Sequence, residues 1–243
     1  MNNISDVYLE ELKKKYHGKK FDIALNKVKK GYPIQYLIGD VNFYGNKINV
    51  NKAVLIPRYE TEFLVDLILN KLTNEKKYKI LDIGTGSGCI AISIAKRLTN
   101  SQVVGIDVSK KALRVANKNK KMNTVNNLNF KKLNVFKCLN FNDYSVIVSN
   151  PPYVSYDEKV GLETKYEPQN AIFADNNGLI FYEEIIKKAS TSKNVEHIFF
   201  EIGMHQAKPI EKFKNEYLSE YKFEKIKDLS GKDRYIHIYL NNK

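Results

Sequence analysis

The 243-residue chain has no tryptophan, only two cysteines and six prolines, and no run of 18 apolar residues. Without such a run a membrane-spanning helix is excluded, because about 20 apolar residues are needed to cross the hydrocarbon core. Two cysteines, Cys89 and Cys138, are too few for a disulfide framework and lack zinc-ligand spacing. A reduced, cytoplasmic setting is therefore expected. The four histidines, His17, His197, His205 and His237, are dispersed, so no metal centre is expected either. Residues 1–6 contain no basic stretch leading into an apolar one, which argues against a secretory signal. Acidic residues are outnumbered 27 to 40, for a net charge of +13. The lysines fall in separate segments such as Lys13–Lys15, Lys29–Lys30, Lys110–Lys111 and Lys187–Lys188, a pattern of solvated helix faces in a lysine-rich composition. A surface this basic would still favour an acidic or RNA-rich partner.

A chain of this length can bury one large core with a small appendage. Apolar residues recur at helical spacing in two short amphipathic segments, one holding Ile4, Val7, Tyr8 and Leu12, the other Phe21, Ala24, Leu25 and Val28. Gly18 and Gly31-Tyr32-Pro33 punctuate them. The stretch 41–50 reads as a β-hairpin with Gly45-Asn46 at its turn. Pro57 separates it from a helix over 61–72.

From residue 78 the character changes. Strands are expected at 78–83, 102–107, 128–133, 144–149, 195–202, 222–228 and 234–240, with helices at 88–98, 109–121, 178–191 and 206–219. This alternation predicts an α/β fold, a seven-stranded, mostly parallel, doubly wound sheet with helices on both faces. Residues 229–233 are too short for a crossover, so the last strand must be antiparallel. The expected organisation is a small helical domain at 1–39, a β-hairpin linker at 40–56 and the main domain at 57–243. The long segment 153–178 has few regular signals, as a lid or binding loop does.

Two stretches carry chemistry. In Ile80-Leu81-Asp82-Ile83-Gly84-Thr85-Gly86-Ser87-Gly88 a buried strand runs into a glycine-rich turn and a helix start. The Gly-x-Gly-x-Gly spacing differs from the G-x-G-x-x-G of pyrophosphate-binding turns. With Asp82 just ahead, the turn suits a cationic or hydroxyl-bearing ligand. Asp107, ending the next strand, is placed to accept both hydroxyls of a ribose. Together these features point to a nucleoside cofactor. The second stretch is Asn150-Pro151-Pro152-Tyr153, behind the apolar run 144–149. Prolines carry no N–H, and a residue before proline is held extended. The result is a rigid corner offering only acceptors, the Asn150 side-chain oxygen and the Pro151 carbonyl, which can grip both hydrogens of a flat –NH2 group. Tyr153 can pack on the face of that group and exclude water.

With these stretches the sequence resembles the release-factor glutamine N5-methyltransferases, from about Pro33 to the C-terminus. The resemblance rests on Pro33–Gly39, Leu55–Glu62, Leu81–Gly88, Ser149–Tyr153, Tyr166–Pro168, Phe200–Gly203 and Asp228–Arg234. It implies the S-adenosylmethionine-dependent methyltransferase type of sheet, with S-adenosylmethionine as donor and S-adenosylhomocysteine as product. It also implies a cofactor site of Arg58, Gly84, Thr85, Gly86, Ser87, Gly88, Asp107, Asn134, Val135 and Asn150. Asn150, Pro151, Pro152 and Tyr153 would be the catalytic and substrate-binding corner, joined on the substrate side by Glu167. The implied partner is a peptide chain release factor, methylated by a monomer at the glutamine of its Gly-Gly-Gln tripeptide without any need for nucleic acid.

Two departures stand out. Tyr59 replaces a usual proline after Arg58, and Asn134-Val135 replaces a common acidic-aromatic pair. Asn134 could still accept from an adenine amino group through its oxygen. The corner alone is shared with adenine N6 and guanine N2 methyltransferases, which leaves a nucleic-acid enzyme as the alternative; a catalytically silent cofactor-binding module is the third reading. His237 is expected to face outward from its alternating strand, and Cys89 to be a small packing residue.

Overall fold

The structure, a computed structural model, describes residues 6–137 and 140–240. Ile4 and the rest of residues 1–5, and Cys138, lie outside the described residues. The chain opens with three helices, α1 (Asp6–Lys15), α2 (Lys19–Lys29) and α3 (Ile34–Ile38), closed around Leu12, Ala24, Ile34 and Ile38. The hairpin β1 (Asp40–Phe43) and β2 (Asn46–Asn49) follows. Phe43 pairs with Asn46, so the turn is Tyr44-Gly45, one residue earlier than expected. Both turn residues have positive φ, 50° and 71°, the type I′ geometry whose twist suits a hairpin. Asn46 instead points inward and donates to Ser93 Oγ at 3.1 Å, a partner that sequence alternation could not supply.

The main sheet has the order β5 (Leu128–Lys132), β4 (Gln102–Asp107), β3 (Lys79–Ile83), β6 (Val146–Ser149), β7 (His197–Glu201), β9 (Asp233–Tyr239), β8 (Lys222–Lys227). β3 to β7 are parallel to one another, and β9 runs antiparallel between β7 and β8. The predicted fold class is borne out, and the strand ends shift by at most two residues. Helices α4 (Glu60–Lys71), α5 (Cys89–Arg97) and α6 (Lys110–Met122) cover one face together with the hairpin. On the other face lie α8 (Ile180–Ser190) and α9 (Ala207–Tyr217), over Leu81, Ile147, Ile198 and Phe200. A short turn, α7 (Asp175–Gly178), leads into α8. Strand order reverses at β3, whose neighbours are β4 and β6, and such switch points form ligand crevices at the carboxyl ends of the strands. Among the described residues no helix is long and apolar enough to cross a membrane.

His237 departs from expectation, being 2% exposed. Its strand is flanked on both sides, and its face stacks on Phe199 with ring centres 4.3 Å apart. The His237 Nε2 lies 3.0 Å from His197 Nδ1. Burial, helped by the neighbouring His197, pushes its pKa down to about 4. The unfolded chain, with an ordinary histidine near 6.5, therefore binds the proton first. The stability this group contributes is full above pH ~6.5 and is lost as pH falls toward ~4. Urea unfolding of wild type and His237→Gln from pH ~7.5 to ~4.5 tests this. Their stability difference should shift against the wild type by up to about 3 kcal/mol as pH falls, and a pH-independent difference would contradict it.

Candidate active site

The crevice at the switch point opens into a cavity of about 440 Å3. Its floor is the turn from β3 into α5. Gly88 is the most crowded of the turn's three glycines, all of which have positive φ. Its φ is +82°, and a Cβ would lie 2.8 Å from the Phe130 ring and 3.2 Å from Ala116 Cβ. The turn is clasped on two sides. Thr85 Oγ1 donates to Asp82 Oδ2 at 2.6 Å, and Gly86 N donates to Asp107 Oδ2 at 3.0 Å. Ser87 is 3% exposed beneath the turn.

Asp82 is 1% exposed, and burial lifts its pKa to about 7. Its Oδ1 is the one buried side-chain polar atom, among the described residues, with no partner. Asp82 does not itself line the cavity and acts on the turn by accepting from Thr85, whereas the carboxylate that faces a ligand is Asp107, which suits hydroxyl donors and repels a phosphate. Asp107 lines the cavity; its Oδ1 accepts from Ser109 N at 2.8 Å. Each carboxylate oxygen retains capacity for a ribose hydroxyl, although burial raises the group's pKa.

The adenine side differs from what the sequence suggests. Asn134 and Val135 both line the cavity. The Asn134 oxygen, however, accepts from Phe136 N at 2.9 Å, closing a local turn, so it is already engaged rather than reserved for an adenine amino group. Val135 is 4% exposed and belongs to the core under the other sheet face. The aromatic surface comes one residue later. Phe136 is 40% exposed in the cavity wall, edge-to-face with Phe181 at 4.9 Å. The signal for it was an aromatic just beyond the third-strand loop, displaced by one position from where an acidic-aromatic pair is sought.

The opposite wall is the acceptor corner. β6 is wholly buried and anchored by Ser149 Oγ, which donates to the Ile83 carbonyl at 2.8 Å. It delivers Asn150 and Pro152 to the cavity. The Asn150 Nδ2 donates to Thr61 Oγ1 at 3.1 Å, and Thr61 Oγ1 donates to Glu201 Oε2 at 2.7 Å. No donor among the described residues reaches the Asn150 oxygen. Gln206 Nε2 holds the Tyr153 carbonyl at 2.9 Å, and the Tyr153 ring packs into the core cluster that includes Tyr182 and Phe200. Burial pushes the Tyr153 hydroxyl up to about 12, which keeps it protonated.

Arg58 and Glu167 meet each other rather than the cavity. Glu167, 3% exposed, accepts from Arg58 Nη2 through Oε1 and from Ile56 N at 2.9 Å through Oε2. Their bond clips the 153–178 loop to the segment before α4, so the cofactor contact expected of Arg58 and the substrate contact expected of Glu167 are not what the geometry provides. Leu55, next to Ile56, and Pro168, next to Glu167, line the cavity instead. The loop carries two short turns, Leu162–Tyr166 and Gln169–Ala171, and Tyr166 meets Tyr32 of the N-terminal helices edge-on at 5.0 Å. Cys89 is buried, and burial lifts its thiol to about 12, as suits a packing residue.

A switch-point cavity with a glycine turn, a carboxylate on the second strand and an Asn-Pro-Pro-Tyr corner on the next defines an S-adenosylmethionine-dependent methyltransferase. Residues 61–175 match the family described as "Methyltransferase small domain". A release factor glutamine methyltransferase of Fusobacterium nucleatum subsp. nucleatum is 41% identical over 93% of this chain, which spans 65% of that protein. Another, from Flavobacterium psychrophilum, is 41% identical over 90% of this chain and 79% of its own length. The chain belongs to the release factor glutamine methyltransferase family. The ribosomal protein L11 methylase structure from Lactobacillus delbrueckii subsp. bulgaricus shares the fold, with a TM-score of 0.55 at 20% identity over 81% of this chain and 85% of that one.

Proposed function

We propose that this enzyme methylates the side-chain amide nitrogen of the glutamine in the Gly-Gly-Gln tripeptide of peptide chain release factors. The observation that carries this reading is the Asn150 amide, tied back through its nitrogen to Thr61 while its oxygen is left for a donor from the cavity. A glutamine amide nitrogen is a poor nucleophile because its lone pair is shared with the carbonyl. The Asn150 oxygen and the Pro151 carbonyl accept its two N–H groups, fix its plane and favour the positive charge that grows on nitrogen in the transition state. Bound S-adenosylmethionine supplies an electrophilic methyl group on a sulfonium. As the nitrogen–methyl bond forms the methyl–sulfur bond breaks and leaves a neutral thioether, and the cationic methylated nitrogen, strongly acidic, sheds one proton to solvent when the corner reopens, so no dedicated base is needed. Tyr153 stays protonated and packs at the corner, where it excludes water. The turn from Gly84 through Thr85, Gly86 and Ser87 to Gly88, with Asp107, Asn134, Val135 and Phe136, holds the donor; the Arg58–Glu167 clip braces the loop beside it. Nucleic acid is not required for any of these contacts.

The test is transfer of label from S-adenosylmethionine to three acceptors offered separately: purified release factor, the same factor with its tripeptide glutamine replaced by alanine, and mixed RNA and DNA. Label should enter the first acceptor alone. Label in nucleic acid only would replace this reading with amino-group methylation of a base, which needs the same acceptor corner and an extruded nucleotide.

A further inference from the structure

Thr61 and Glu201 lie 140 positions apart in the chain and are 3% and 2% exposed, yet they meet directly behind Asn150. Neither lines the cavity. An ionised carboxylate has acceptors only, and a hydroxyl has a single proton to donate. With Glu201 ionised, Thr61 must spend that proton on Glu201 Oε2, at 2.7 Å. The Thr61 oxygen is then an acceptor, and the Asn150 amide must turn its –NH2 toward it, at 3.1 Å. That leaves the Asn150 oxygen facing the cavity. An amide can otherwise sit in either of two orientations of nearly identical shape, and only its hydrogen-bond network decides between them.

We propose that Thr61 and Glu201 are positioning residues whose hydrogen-bond chain sets the polarity of the Asn150 amide, so that ionised Glu201 presents an acceptor to the substrate and protonated Glu201 presents a donor. In the protonated state the chain reverses. The Glu201 hydroxyl donates to Thr61, Thr61 donates to the Asn150 oxygen, and the Asn150 –NH2 turns toward the substrate amide, donor against donor. The proposal rests on the reading of Asn150 as the amide clamp. Its working pH follows from what surrounds Glu201. Glu60 and Thr61 face it from α4, the Asn150 amide from the end of β6, where its –NH2 also favours ionised Glu201, Arg234 and Tyr235 from β9, Tyr153 from the corner, Tyr182 from α8 and Cys89 from α5. Burial dominates these and lifts Glu201 to about 7, against the pull of the Thr61 bond and the Arg234 charge. The switch therefore falls within the range where the enzyme can be assayed.

Two measurements decide it. The first needs no substrate: nitrogen-15 NMR of the Asn150 side-chain –NH2 from about pH 5.5 to 9. In wild type these resonances should titrate with a midpoint near 7, and Glu201→Gln should abolish the titration. An Asn150 amide that ignores pH overturns the proposal. The second is single-turnover transfer to release factor at saturating donor. The wild-type rate should fall about tenfold per pH unit below the midpoint. Thr61→Ser, which keeps the hydroxyl, should stay within about threefold of wild type, whereas Thr61→Val and Glu201→Leu, which remove the donor or the acceptor outright, should lose about 100-fold, the scale for a misplaced contact. S-adenosylhomocysteine affinity should not change in any of them. Thr61→Val turning over like wild type while Asn150→Ala is crippled would overturn the relay and leave the clamp standing. Normal turnover in Asn150→Ala would remove the clamp itself. If Thr61→Val fails to fold, the wild-type NMR titration and the Thr61→Ser rate still decide the matter.

Discussion

Asn150→Ala should lower the turnover of methyl transfer by at least about 100-fold while leaving S-adenosylmethionine affinity within a few-fold of wild type. The asymmetry follows from where Asn150 sits. The donor side of the cavity is built by the β3–α5 turn, Asp107 and the Asn134–Phe136 loop, none of which leans on the Asn150 side chain in any hydrogen bond. Losing the amide therefore leaves that wall in place. On the substrate side the loss is specific to the transition state. A neutral amide N–H makes an ordinary hydrogen bond in the ground state, and that bond strengthens as nitrogen becomes positive. A group whose bond strengthens on the way to the transition state raises kcat more than it lowers KM. Removing one preorganised group of this kind costs about 3–4 kcal/mol, which corresponds to the stated loss. Single-turnover rates and calorimetric binding of S-adenosylhomocysteine separate the two effects. A variant that turns over within about threefold of wild type would show that the corner only ends a strand.

The parts of this site that depend on neighbours in the chain were legible before any coordinates. The Gly84–Gly88 turn, Asp107 at the end of β4 and the Asn150–Tyr153 corner are each set by local backbone demands: positive φ at the glycines, a carboxylate at a strand end, and prolines that hold the chain extended. The antiparallel last strand could be read because a five-residue connection permits nothing else. Contacts that join distant segments were not legible. Arg58 and Glu167 lie 109 positions apart and Thr61 and Glu201 140, so no spacing rule brings them together. His237 shows a different limit. Alternation in β9 separates two faces, but whether the histidine's face is covered depends on what lies over the strand and beside it. At Asn134 the difficulty was local competition. A short polar side chain bonded its own backbone before it could serve a ligand.

Gly178→Ala should cost the protein about 2–5 kcal/mol of stability, lower its melting point by roughly 4–20 °C, and slow turnover about 100-fold. This glycine is remote from the glycine-rich turn and carries no chemistry of its own. Its φ is +77°, and a Cβ there would lie 1.9 Å from the Tyr153 carbonyl oxygen and 2.7 Å from Gln206 Nε2. The two residues before it, Asn176 and Asn177, are also left-handed, each with φ of 53°. Three such residues in a row make a tight reversal that brings the backbone directly against the corner. Alanine in this conformation costs about 1–2 kcal/mol by itself. Relieving the overlap must also push away the Tyr153 carbonyl and break its 2.9 Å bond from Gln206, a further 1–3 kcal/mol or so for a buried acceptor left unpaired. Gln206 is in turn held by Gly203 N, which donates to its Oε1 at 2.9 Å, so the displacement reaches the segment after β7 as well. Tyr153 lies three residues beyond Asn150, and a shift of about 1 Å there is enough to misalign an in-line transfer. Gly161→Ala is the matched control, because Gly161 has an ordinary φ of −60° and room for a Cβ, and it should behave as wild type in both melting and rate. A Gly178→Ala protein that melts and turns over like that control would mean the corner keeps its shape without support from this reversal.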